Sequence, residues 1–235
     1  MDGFGKVAEI IERVTGAAGE IQLQRRGEDY EIIYNGIFLM ATYNGASEMK
    51  AVKEALEGFS SRYYHSLRVL MGGLGMGFSL KEALRFHRVE KVTVAEIEQA
   101  VIRWNYRWLN PFNKSALYDS RTAVLNADFY EVLNREAWLI NEGLSSPYHL
   151  VLVDTDNGSN WLSLPSNRIF YSKKGLSLIK KCLVSEGIGC FWCPQRETDL
   201  EAVLENIFDS VSFRKVKEST GREGCYYLAK RPLFK

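Results

Sequence analysis

Residues 69–82, "VLMGGLGMGFSLKE", decide how this chain is read. An apolar run stops at Met71, glycines fill positions 72, 73, 75 and 77, and a helical pattern starts at Phe78. Glycine lets a backbone turn sharply and come close to a ligand. The spacing Gly73-Leu74-Gly75-Met76-Gly77 is GxGxG. A dinucleotide fingerprint wants its third glycine at the sixth position for helix packing, and that position is Phe78. A turn built to grip a pyrophosphate is therefore disfavoured. A nucleoside-holding turn and a plain tight strand-to-helix connection both fit.

Downstream of the turn, strand-like and helix-like stretches alternate. "KVTVAEI", "TAVLNAD", "YHLVLVDTD" and "GIGCFWCP" read as strands. The helical stretches between and after them are "EQAVIRWNYRWL", "FYEVLNREAWLI", "KKGLSLIKKCLVSE" and "TDLEAVLENIF". "SVSFRKVK" and "EGCYYLAK" close the chain as a hairpin. This rhythm predicts βαβ units and a parallel sheet, with right-handed crossovers placing helices on both faces. The expected fold class is α/β: a Rossmann-like, seven-stranded, mostly parallel sheet with a C-terminal antiparallel hairpin. A small N-terminal β-sheet precedes it over residues 20–43, where "NG" between apolar runs signals hairpins. Before that sheet, "KVAEIIERV" reads as a short helix ending in Gly16, and after it "ASEMKAVKEALEGF" reads as a linking helix. The expected division is residues 1–60 for the appended sheet and linker and residues 61–235 for the nucleoside-binding domain.

Composition narrows the function classes. The 235 residues are 46% hydrophobic and 25% charged with a net charge of +1, ordinary for a soluble globular chain and without the basic excess of a nucleic-acid binder. No apolar run reaches the roughly 18 residues of a membrane span, and "MDGFGKVAEIIERV" lacks the basic start and apolar core of a signal peptide, so a cytoplasmic protein is expected. Cys190 and Cys193 form a CxxC inside an apparent strand. Residues three apart on a strand face opposite sides, so core cysteines are expected rather than a metal or redox pair. No two of His65, His87 and His149 are spaced as metal ligands, and no metal is expected.

In a sheet of this kind ligands bind at the C-terminal strand ends, near the switch in strand order. Glu96 ends the second strand, 19 residues after Gly77, and an acidic side chain there accepts both hydroxyls of a ribose. Asp128 follows the third strand, placed either for an exocyclic amine of a base or to cap the next helix. Asp154 follows the fourth, and Asp156 comes two residues later, as a ligand or as a turn residue before Asn157-Gly158. Gly73, Gly75 and Gly77 complete the candidate cofactor-binding set.

With these residues in place the chain resembles the class I S-adenosylmethionine-dependent transferase fold, and more narrowly the spermidine synthase (polyamine aminopropyltransferase) family. The family's "VLIIGGGDGGTLRE" aligns without gaps on "VLMGGLGMGFSLKE". "KVTVAEIEQAVI" is similar to its "VTVVDIDPEVI", "YHLVLVDTDNG" to its "YDVIIVDTTDP", and "SEMKAV" to its "HEML" region. The resemblance implies that Glu96 binds the ribose, that Asp128 binds the adenine, and that Asp154 is the catalytic carboxylate accepting a proton from the attacking amine. It also suggests a homodimer. Three departures stand out: the family's glycine-turn aspartate, which holds the donor's amino group, falls on Met76; the second aspartate of its "DTTDP" has no clean counterpart in Asp154-Thr155-Asp156-Asn157-Gly158, so that Asp156 substitutes for it only with a shifted loop; and the acidic and aromatic gate is replaced by "TYNGAS".

The implied donor is decarboxylated S-adenosylmethionine, or S-adenosylmethionine itself, with a small-molecule amine as acceptor. Tyr43, Glu48, Asp156 and Trp161 are candidates for holding that acceptor, with Tyr171 as a further aromatic. No nucleic acid or membrane partner is expected. Three functions compete: an aminopropyltransferase, a methyltransferase or other alkyl transferase using the full donor, and a non-catalytic nucleoside-binding or assembly protein.

Overall fold

The computed structural model describes residues 7–155 and 162–233. The apolar runs form a sheet because both faces of its strands are buried. In β5 (Leu67–Gly72), Val69 and Met71 enter one core and Leu70 enters another. β8 (Tyr148–Val153) divides Leu150 and Leu152 from Val151 and Val153 in the same way. Strands covered on both sides read as unbroken apolar runs, and each fully buried Val, Leu or Met contributes about 1.5–3 kcal/mol.

The other strands of this sheet are β6 (Val89–Glu96), β7 (Thr122–Asn126), β9 (Leu183–Cys193), β10 (Phe208–Lys217) and β11 (Glu223–Pro232). The spatial order is β10-β11-β9-β8-β5-β6-β7. The five strands from β9 to β7 run parallel, and β11 and β10 add an antiparallel edge. Helices α1 (Ala46–Glu57), α2 (Phe78–Leu84) and α3 (Gln99–Arg107) pack on one face. Helices α4 (Phe129–Asn141), α5 (Lys173–Cys182) and α6 (Thr198–Glu205) pack on the other. The expected seven-stranded, mostly parallel sheet with its closing hairpin is present.

The N-terminal sheet is a meander of β1 (Glu9–Gly16), β2 (Gly19–Arg26), β3 (Asp29–Tyr34) and β4 (Ile37–Ala41). Its Ile21, Leu23 and Ile32 share one hydrophobic core with Val69 and Val92 of the main sheet. At the β3–β4 turn Asn35 and Gly36 both have positive φ (49° and 78°), as an Asn-Gly hairpin requires.

Two elements differ from the sequence reading. "KVAEIIERV" is not a helix: its larger part is β1, paired antiparallel with β2. The register shifts between Ile10 and Glu12, and this bulge breaks the period of two and leaves an apolar spacing that imitates a helix. The helix expected to run through Glu186 ends at Cys182, because Leu183 pairs with Tyr148 in the parallel ladder and starts β9 there. Cys190 and Cys193 enter opposite cores, and all four cysteines are buried and free.

Candidate functional site

The order reverses between β8 and β6 on either side of β5, so the C-terminal ends of these strands border the crevice where such sheets bind ligands. The glycine turn fills that position. Gly73, Gly75 and Gly77 all have positive φ. A Cβ on Gly73 would lie 2.0 Å from the carbonyl oxygen of Asp154. The turn is anchored on both sides: Gly73 N–H donates to Ala95 O at 2.9 Å, and Asp154 N–H to Gly72 O at 2.9 Å. Asn105, wholly buried on α3, donates to Gly75 O at 2.7 Å and holds the far side of the loop.

Glu96 emerges from the end of β6 beneath this turn. Its Oε2 accepts from Leu74 N–H and its Oε1 from Glu98 N–H, each at 2.8 Å. Burial pushes its carboxyl up, and the N–H groups of Glu98 and Leu74 oppose the rise. Each carboxylate oxygen can accept a further bond, so Glu96 can support the turn and accept ribose hydroxyls together. Glu98 ties the appended sheet to the site, accepting from Ala17 N–H at 2.8 Å and from the Tyr34 hydroxyl at 2.9 Å. Burial first, and then this carboxylate, push the Tyr34 phenol up to about 12. Asp128 caps α4, with Oδ1 accepting from Tyr130 N–H at 2.7 Å, and it lines the same cavity.

On the opposite wall the first turn of α1 carries Ser47 and Glu48. The Trp192 indole N–H donates to Ser47 Oγ at 3.0 Å, and the Ser47 hydroxyl donates to Glu48 Oε2 at 2.6 Å. Burial pushes the Glu48 carboxyl up to about 7; its bond from Ser47 opposes this, and the nearby Glu218 charge adds to it. Glu218 stands on the turn between β10 and β11, which folds back over α1.

These groups surround a cavity of about 570 Å³. Among the described residues it is lined by the carboxyls of Glu48, Glu96, Glu98, Asp128, Asp154, Glu218 and Glu223, and by one cationic side chain, Arg222. Phe38, Leu39, Met40 and Trp192 give it apolar walls. A space this acidic and partly apolar suits organic cations. No three His, Cys, Asp or Glu side chains converge as metal ligands among the described residues.

No family model matches the chain. A polyamine aminopropyltransferase of Oceanobacillus iheyensis is 31% identical over 121 residues, which is 51% of this chain and 21% of that protein. The chain is similar in sequence to part of the polyamine aminopropyltransferases. It matches well under half the length of the first two curated relatives, 21% and 39%. The crystal structure of spermidine synthase from Thermotoga maritima superposes with a TM-score of 0.74 at 14% identity, covering 94% of this chain and 72% of that one. Human methyltransferase-like protein 13 in complex with SAH superposes with a TM-score of 0.63 at 19% identity, covering 79% and 82%. These likenesses show a Rossmann-like sheet common to aminopropyl and methyl transferases.

Among the candidate residues, Gly73, Gly75, Glu96, Asp128, Asp154 and Glu48 converge on the cavity. Gly77 stands behind them as the left-handed residue that opens α2. Tyr43 does not line the cavity: its hydroxyl donates to Glu31 Oε1 at 2.9 Å in the appended sheet. Tyr171 packs against the core under α4 and α5. Asp156 and Trp161 lie outside the described residues. Met76, at the position of the aminopropyltransferase aspartate, is fully buried in the core. Sequence reasoning missed Glu98, Ser47, Trp192 and Glu218. "SEM" was the one local signal for Ser47, and the others act across the fold with no motif of their own.

Proposed function

We propose that this chain transfers an aminopropyl group from decarboxylated S-adenosylmethionine to a small amine, with Asp154 as the base. The observation that carries this reading is the cavity lined, among the described residues, by seven acidic residues and one cationic one, a setting for a sulfonium donor and an ammonium acceptor. Glu96 takes the ribose hydroxyls and Asp128 the adenine amine at the β5–β6 side. The acceptor enters beside Asp154, Glu48 and Trp192. An ammonium has no lone pair, so Asp154 first accepts a proton from it. The amine nitrogen then attacks the carbon next to sulfur, the C–S bond breaks with its electrons going to sulfur, and a neutral thioether leaves. Alignment of the two reactants supplies roughly 7–11 kcal/mol in favourable cases, and the base a further factor of about 10²–10⁴.

The test is calorimetry with decarboxylated S-adenosylmethionine, S-adenosylmethionine, methylthioadenosine and S-adenosylhomocysteine, followed by turnover with diamines. Preference for the decarboxylated donor and methylthioadenosine supports the proposal. Asp154→Asn is then expected to keep donor binding and lose about 10²–10⁴-fold in turnover. A second reading, transfer from the full donor, is favoured by one feature: Met76 leaves the glycine turn without an acidic side chain, and such a side chain would repel that donor's carboxylate. Preference for S-adenosylmethionine and S-adenosylhomocysteine would establish it in place of the first.

A further inference from the structure

Helix α1 begins without a cap of its own. Its N-cap residue is Gly45, which has no side chain to offer the free N–H groups of the first turn. The chain supplies that cap from its other end. Glu218 Oε2 accepts from Gly45 N–H at 3.1 Å and Ala46 N–H at 3.0 Å, and its Oε1 accepts from Ser47 N–H at 2.8 Å. A carboxylate at a helix N-terminus is favoured by the helix dipole. Ser219 adds a bond from its hydroxyl to Tyr43 O. The backbone gripped in this way carries Ser47 and Glu48, the two residues of the Trp192–Ser47–Glu48 chain on the cavity wall.

We propose that Glu218 is a positioning residue for the transfer reaction, setting both the place and the charge of Glu48 on the acceptor side of the cavity. The role of Glu48 toward the acceptor amine rests on the aminopropyl-transfer reading; the coupling between the two carboxyls does not. Three bonds from one carboxylate fix the first turn of α1, and with it the backbone from which the Glu48 side chain extends. The same carboxylate places a negative charge near Glu48 and works against a second one. Arg222 and Glu223 on the hairpin and Asp154 after β8 line the same cavity as Glu48. Burial, with the Glu218 charge adding to it, raises the Glu48 carboxyl and favours its protonated form. An ammonium entering the cavity reverses the balance, and Glu48 ionises to receive it. With the Glu218 charge nearby, Glu48 thus ionises mainly when a cation is there to be held.

The experiment follows carboxyl carbons by NMR in protein labelled with δ-¹³C glutamate, with the Glu48 signal identified by its loss in Glu48→Gln. In Glu218→Gln the Glu48 midpoint is expected to fall by on the order of one pH unit. In Glu218→Asp, which keeps the charge on a shorter arm, it is expected to stay raised although the helix cap is weakened. The acidic limb of kcat/KM for the amine is expected to move with the midpoint, while donor Kd stays put. An unchanged Glu48 midpoint in folded Glu218→Gln overturns the inference, as does an equal fall in both variants, which would make Glu218 a helix cap and nothing more. The titration needs no turnover. If the wild-type protein transfers no aminopropyl group, the functional proposal falls while the carboxyl coupling is still read.

Discussion

Gly73→Ala tests the architecture of the site at its tightest point. Gly73 has φ of +94°, where an L side chain is strained, and an added Cβ would lie 2.0 Å from Asp154 O and 2.9 Å from its carbonyl carbon. Neither strand can give way cheaply, because Gly73 N–H is bonded to Ala95 O and Asp154 N–H to Gly72 O. Left-handed backbone costs a non-glycine residue roughly 1–2 kcal/mol, and forcing an extra carbon into packed surroundings costs about 1–3 kcal/mol more. The sum, about 2–5 kcal/mol, corresponds to a fall in Tm of roughly 4–20 °C for a chain of this size. Gly143→Ala is the control: φ is +71°, and nothing lies within 4 Å of the added carbon. It carries the backbone cost alone, a fall of a few degrees. Calorimetric melting of both variants, with donor binding measured on each, separates the two costs. Equal melting temperatures for the pair would refute the claim that the β5 turn and the strand carrying Asp154 are locked in contact.

Three further outcomes follow from the same geometry. Glu96→Gln puts an amide nitrogen against N–H donors at one of two bonded positions; a loss of about 1–3 kcal/mol in stability and weakened nucleoside binding are expected by melting and calorimetry. Trp192→Phe removes the bond to Ser47, so the amine KM is expected to rise while donor Kd is unchanged. Glu48 has a folded value of about 7 against an ordinary 4.5, so its contribution to stability is complete below about pH 4.5 and is lost as pH rises through 7. The Tm difference between wild type and Glu48→Gln should therefore change between pH 5 and 8, by the equivalent of at most about 3 kcal/mol, and an amine ligand should diminish the change.

The main sheet was legible because two-sided burial writes itself into the sequence: "VLM" and "LVLV" stay apolar whichever face a residue takes. The rim acids were legible for a related reason, since a strand end fixes where the next side chain points. β1 was not, because its bulge scrambles the alternation and its partner strand, not its own propensity, makes it extended. The start of β9 was hidden in a helical pattern that the parallel ladder overrides. Tyr43 and Glu48 looked alike as candidates near the appended sheet. One is turned to Glu31 and the other to the cavity, a choice made by contacts far along the chain. Glu218 lies in "KESTGREG", an ordinary polar turn whose role exists only once α1 is beside it.

That last contact has a consequence for the order of assembly. Glu218 and the helix it caps are separated by 171 to 173 residues, among the longest chain closures in the molecule. Contacts this distant form late and slow folding. During synthesis α1 leaves the ribosome before its Glu218 cap exists, its leading N–H groups left to water, and the acceptor wall is finished only after the hairpin has emerged. A ligand that binds the finished wall draws the hairpin into place by mass action. Supply of substrate and completion of the fold are in this way linked, and protease cleavage at the hairpin turn should slow when a ligand is present.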